Sequence, residues 1–302
     1  AAIFTPRLSS QCPLPQWAMA LRIVFAPLRA PAPGNGARRG CEREPSMPEP
    51  VAAGAAHSRF VQRVRRRYAT ERALLAAGVP GFEQIVALVQ ALGRPPFALP
   101  LADALRVARH LVIERLAELD VEHGAALDSV TGAMTALAEA ALELALTAAL
   151  AEADERHGAP RAADGRRVEL WIVGMGKLGA RELNVSSDID LVYVYDDDGR
   201  TAGGTGGRAV SCHEYFAFVA RRLYALVGEV GEHGLVFRVD LALRPNGNSG
   251  PPVISLAMLE EYFLVQGREW ERFAWSKSRV VAPRAAVAGG SALALRALVI
   301  PF

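Results

Sequence analysis

Cysteine and net charge are both scarce in this chain. Its 302 residues hold three cysteines, Cys12, Cys41 and Cys212. An odd, widely spaced set offers neither a disulfide framework nor a CxxC zinc pattern, and it fits a reducing, cytoplasmic setting. Against 32 acidic residues stand 34 basic ones, a formal charge of only +2. That is too little for the global basic field of a nonspecific nucleic-acid binder, so any anion site must be local. Long uncharged apolar runs are missing as well. The most apolar stretch, 125–150, carries Asp128, Glu139 and Glu143, each penalised in a bilayer core, so it reads as a soluble helix and argues against a membrane role. Arg22, Pro27 and Pro31 break the apolar residues 17–30, a poor signal peptide. Lysine is rarest of the charged residues: Lys177 and Lys277 are the only two. Where arginine is the habit, a compact ammonium marks a place where a point charge matters.

With 51% hydrophobic and 22% charged residues, the chain has the composition of a globular protein long enough for about two domains. Residues 1–46 scatter proline and arginine without period, which implies disorder. The chain opens on Ala1, and Met47 precedes the first helical segment, so this stretch also reads as translated upstream sequence. A helical region is expected over 47–160, from Phe60, Val61, Val64 and Tyr68 at helical spacing and apolar runs near 82–92, 101–119 and 125–152. The arginines of VQRVRRRYATER read as a solvated helix face. After HGAPRAADGRR the pattern turns to strands at VELWIV (168–173) and IDLVYVY, then a flexible surface loop at TAGGTGG. Ser211 and Glu214 form a capping box for the next helix. A third strand is expected at LVFRVDLALR, ending at Pro245, and helical pattern returns from Leu256 to Val281.

The string Gly174-Met175-Gly176-Lys177-Leu178-Gly179 fits G-x-G-x-x-G directly after a strand, with Asp196 to Asp198 about 20 residues on, as in a dinucleotide-binding turn. Too few residues follow for the packed crossover helix such a turn must open. A Walker loop fails too, because Trp171 stands where it needs glycine and Leu178 where it needs Ser or Thr. Asp188-Ile189-Asp190-Leu191 is the stronger signal: residues two apart on a strand share a face, so both carboxylates point one way while Ile189, Leu191 and Tyr193 enter the core. Two like charges that close call for a cation, and magnesium suits oxygen ligands; the competing reading is a strand end with two solvated acids. Asp240 adds a third carboxylate, displayed opposite the apolar face Phe237, Val239, Leu241 and Leu243. Three such acids suit two magnesium ions and in-line phosphoryl displacement, with the glycine turn approaching the phosphates and Lys177 or Arg244 as counter-charge.

A glycine turn, a D-x-D and a distal third aspartate resemble the DNA polymerase β nucleotidyltransferase superfamily. More closely, GMGKLGARELNVSSDIDLVYVYDDDG, FRVDLALRPNGNSGP and QGREWERFAWSKSRVVAP resemble the glutamine-synthetase adenylyltransferase family over about residues 58–284. NVSSDIDL after a helical region is similar to the amino-terminal, adenylyl-removing module of these bifunctional enzymes, and no second D-x-D module follows. The resemblance implies an α+β fold: an amino-terminal helical region, a polymerase β-like nucleotidyltransferase core with a mixed sheet over 166–284, and the start of a further, truncated helical region at 285–302. It implies phosphorolysis of AMP from a glutamine synthetase tyrosine, giving ADP, while the fuller protein also adenylylates with ATP. Asp188, Asp190 and Asp240 would hold Mg2+ and act in catalysis; Gly176, Lys177, Ser187 and Arg244 would contact nucleotide or phosphate. Partners implied are glutamine synthetase and the PII signal protein, in the cytoplasm, without nucleic acid or membrane. Ala180 departs from a glycine common in the family string, and Ala242 from an arginine that often precedes L-R-P. A polymerase or terminal transferase, a nicotinamide oxidoreductase, and a non-catalytic fragment that binds glutamine synthetase or PII are the competing functions.

Overall fold

The Ser58 side chain accepts a hydrogen bond from the Val61 N–H and so caps the first helix. The fold is a computed structural model that describes residues 54–290 and Leu295. The disorder expected over 1–46 lies outside the described residues, as does most of 285–302. Four helices come first: α1 (Arg59–Arg67), α2 (Phe82–Leu92), α3 (Leu101–His123) and α4 (Leu127–His157). Gly124, at φ 62°, turns the chain left-handed where α3 stops. Helix α4 is long and apolar enough to cross a membrane by length and composition. Here it is a core helix, with Leu137, Leu142 and Leu146 buried and α2, α3 and the helix α6 (Cys212–Val227) packed on it. The arginines of α1 form the solvated face their sequence implies, with Arg59, Arg63, Arg66 and Arg67 exposed; Arg65 is the exception. Arg65 pairs with Glu114 at 2.5 Å and Arg72 pairs with it at 3.2 Å, and that carboxylate is 3% exposed. A buried acid needs its partners, and these two arginines supply them.

The remaining elements are β1 (Pro160–Arg161), β2 (Leu170–Gly174), α5 (Gly176–Gly179), β3 (Ile189–Tyr195), β4 (Arg200–Thr201), α6 (Cys212–Val227), β5 (Val239–Asp240), β6 (Val253–Ser255), α7 (Leu256–Val265), α8 (Glu269–Trp275), β7 (Arg279–Ala282) and α9 (Arg284–Gly289). Strand β2 lies antiparallel between β7 and β3. The other edge of β3 is shared: β5 pairs parallel with its first residues, and β6 pairs parallel with its last three. Apolar side chains leave both faces. Ile172, Leu191, Tyr193 and Tyr195 join the cluster that contains α4 and α6, while Trp171, Val173, Val192 and Val194 pack with Leu259, Phe263 and Trp275 of α7 and α8. Helices on both faces make this an α+β core with a mixed sheet. The box at Ser211 and Glu214 forms as its spacing predicts, with each side chain serving the other's backbone N–H.

Three expectations are corrected. LVFRVDLALR is a strand only at Val239–Asp240. The Asp240 carboxylate accepts the Ala242 N–H at 2.7 Å and the chain coils away through Arg244 N–H to Leu241, a side-chain-to-backbone bond outcompeting the ladder. The helical pattern from Leu256 to Val281 ends at Trp275. Val280 and Val281 instead form part of β7 beside β2, where branched side chains fit the pleat. TAGGTGG, finally, lies at the surface as expected, with Thr205, Gly206 and Gly207 exposed, but it is tied down. Thr205 and Gly206 donate backbone N–H groups to the Glu155 and Arg156 carbonyls at 2.9 and 3.0 Å, laying the loop on the end of α4.

Candidate active site

The site starts where β2 stops. The Met175 N–H donates to the Asp190 carbonyl at 2.9 Å, extending the pairing one residue past the strand. Gly176 then takes φ 54°, which an L side chain rarely adopts, and opens the single turn α5. At Gly179 a Cβ would overlap the Lys277 carbonyl and stand 2.6 Å from the Gly174 carbonyl oxygen. The third glycine is therefore needed for close packing of the turn on the chain leading into β7. Arg279 of β7 completes the clamp. Its guanidinium donates to the Leu178 and Gly179 carbonyls, both at 3.2 Å, and pairs with Glu139 of α4 at 2.6 Å. Since β2 and β3 are antiparallel with one helical turn between them, the parallel crossover of a dinucleotide fold is absent here.

Asp190 lies directly opposite Asp240 in the parallel pairing of β3 with β5. Partners in such a register project to one face, and Asp188, just ahead of the strand, lines the same cleft. The electrostatics record the crowding. Burial pushes the Asp190 carboxyl above its usual range, Asp240 and then Asp188 push it further, and Lys177 opposes them. The Lys177 ammonium lies 3.5 Å from the Ser187 hydroxyl. Arg238 forms an ion pair with Asp188 and donates to the Ser186 carbonyl at 3.2 Å. A cleft of about 500 Å³ runs between these groups, lined by Gly176, Lys177, Ser187, Asp188, Asp190, Arg238 and Asp240, with Asn184 and Ser186 at its side.

Six of the seven residues singled out from sequence thus line one cleft. Arg244 does not. Its guanidinium donates to the Leu241 carbonyl at 2.7 Å and the Gly250 carbonyl at 3.3 Å, fastening its own loop. The cation that joins Lys177 among the acids is Arg238, whose signal was its place two residues before Asp240 on the same face; Asn184 had no signal of its own. Ala180 adopts φ −80°, an ordinary helical value, so the change from glycine leaves no strain there. The left-handed position is its neighbour Arg181, at φ 63°.

The donor set suits a hard divalent ion: three carboxylates, all oxygen, one held above its normal pKa by burial and then by the other two. Asp188 has turned toward Arg238, and the three aspartates stand wider apart than Glu118, Glu122 and His123 on α3. That trio alone among the described residues brings ligand atoms within 4.8 Å of one another.

A glycine turn and paired acids on a mixed sheet, backed by helices, define a nucleotidyltransferase-like α+β core. The chain belongs to the glutamate-ammonia ligase adenylyltransferase family, whose model matches residues 56–293. It is similar to proteins named bifunctional glutamine synthetase adenylyltransferase/adenylyl-removing enzyme: 54% identical over 70% of this chain to that of Burkholderia pseudomallei, 49% over 74% to that of Ralstonia nicotianae, and 41% over 77% to that of Aromatoleum aromaticum. The matches cover 23%, 24% and 25% of those proteins, so the chain spans about a quarter of their length.

Proposed function

We propose that this chain is the adenylyl-removing module of a glutamine synthetase adenylyltransferase and that it works by phosphorolysis. An oxygen of inorganic phosphate attacks the phosphorus of the AMP carried on a glutamine synthetase tyrosine. The bond from phosphorus to the tyrosine oxygen breaks, that oxygen keeps the electron pair and takes a proton, and ADP leaves. The observation that carries this reading is the register of Asp190 with Asp240 beside the glycine turn. Asp188, Asp190 and Asp240 hold Mg2+, which supplies Lewis-acid neutralisation of charge on the phosphoryl group. Gly176, without a Cβ, lets backbone N–H groups approach the phosphates. Lys177, oriented by Ser187, and Arg238 bring positive charge to the same cleft. Arg244 shapes the loop that follows Asp240.

The longer protein would add AMP from ATP through a second module and answer to the PII signal protein, in the cytoplasm and without nucleic acid or membrane. Within this chain the proposal assigns 47–160 to a helical region, 166–284 to the nucleotidyltransferase domain and 285–302 to the next helical region. The test is direct: adenylylated glutamine synthetase, phosphate and Mg2+ are mixed with the 302-residue chain and ADP is measured. Phosphate-dependent ADP release supports the reading. Binding of glutamine synthetase with no release would favour a non-catalytic fragment instead.

A further inference from the structure

A second cleft, of about 490 Å³, lies where the end of α4, the glycine-rich loop and the start of α6 meet. None of its lining residues belongs to the acid-lined cleft. Its walls carry Arg156, His157, Arg208, His213, Phe218 and Arg221, and its single acid, Glu214, is paired with Arg208 at 3.2 Å. The Arg156 guanidinium lies over the Phe218 ring, 5.4 Å from its centroid, and makes no ion pair among the described residues; neither does Arg221. In a chain whose formal charge is +2, that is a strong local excess of positive charge.

The cleft is also built. Gly206 lines it, and Gly204 and Gly206 are both required to seat the loop on the end of α4, because a Cβ would stand 2.5 Å from the Glu155 carbonyl oxygen at Gly204 and 2.8 Å from that of Arg156 at Gly206. The loop's N–H groups occupy these carbonyls at the negative end of α4, while α6 points its positive end into the cleft. We propose that this cleft binds a diphosphate-bearing small molecule, a nucleoside diphosphate or free pyrophosphate, at a site separate from the acid-lined one. Its volume suits such a ligand, and arginine forks match phosphate oxygens in pairs.

Calorimetry on the full chain in EDTA tests the proposal with ADP and pyrophosphate as probes, since without a divalent ion three carboxylates repel a diphosphate from the other cleft. One equivalent is expected to bind. Arg156→Gln with Arg221→Gln should weaken binding by about tenfold or more, and Asp190→Asn should leave it unchanged. Glu214→Gln keeps the helix cap and releases Arg208, so it should tighten binding. ADP the tighter ligand marks a nucleotide site, and equal affinities mark a diphosphate site; both support the proposal. Absence of binding, binding indifferent to the arginine pair, or binding lost in Asp190→Asn overturns it.

Discussion

The two ends of β3 face different worlds. At its entry the strand is paired to a two-residue neighbour that peels off at once, and Asp190 and Asp240 are left at the rim of an open cleft. At its exit β6 takes over the same edge, and Tyr193, Val194 and Tyr195 are 2% exposed or less beneath helices on both faces. One strand thus serves two purposes because its edge is divided. The buried half anchors the sheet, and the anchored sheet can hold like charges together at the other half, where they are electrostatically unfavourable but chemically useful.

The comparison breaks most sharply at Asp190. Replacing it by Asn should cut phosphate-dependent ADP release by about a thousandfold or more, ~4 kcal/mol of barrier, while thermal unfolding without metal stays level or rises slightly. A comparable rate in the variant would show that the entry end is not the reacting centre. At the exit end the effects reverse. Tyr195 stacks on Phe216 with ring centroids 5.2 Å apart, and Tyr195→Ala should cost about 3–5 kcal/mol in denaturant unfolding. Gly179→Ala should couple the two, forcing the turn off the chain before β7 at a cost of about 1–3 kcal/mol and lowering the rate as well. Arg279→Lys loses the fork that reaches two carbonyls and Glu139. It is expected to lower kcat by about tenfold with little change in unfolding temperature.

The smallest effect is a dependence on pH. The native Asp190 carboxyl titrates above its ordinary 3.8, so between 3.8 and that raised value the folded state binds more protons than the unfolded one. Stability contributed by this group is therefore full below 3.8, falls as pH rises through the native pKa, and is level above it. Measured without divalent ions, the unfolding free energy of Asp190→Asn relative to the unmodified chain should climb over that window. A difference independent of pH would show that folding does not raise the Asp190 pKa.

Much of this arrangement was legible in the sequence. The run IDLVYVY matches β3 end to end because branched and aromatic residues filling both faces leave little alternative, and α2 and the cap of α6 follow from local rules. Asp190, the acid of β3, was legible from period alone, and Asp188 lies just ahead of the strand. What escaped was set by distant contacts. Alternation in LVFRVDLALR predicts a long strand, yet Asp240 uses its carboxylate to turn the chain, so the same residue that marks the site ends the strand. Arg244 and Arg238 are equivalent by pattern; only the turn decides that one fastens a loop and the other faces the acids. Nothing local says that Val280 and Val281 will find β2, and the glycines of the 203–207 loop read as freedom when they in fact permit contact with α4.

Manganese binding followed by electron paramagnetic resonance tests the central claim most directly. It is best done in a Glu122→Gln background that silences the acid and histidine group on α3. If Asp188, Asp190 and Asp240 form one centre, the chain binds the ion and Asp240→Asn alone weakens it by about tenfold or more, although Asp188 and Asp190 remain. Equal affinity with and without the Asp240 carboxylate would contradict it.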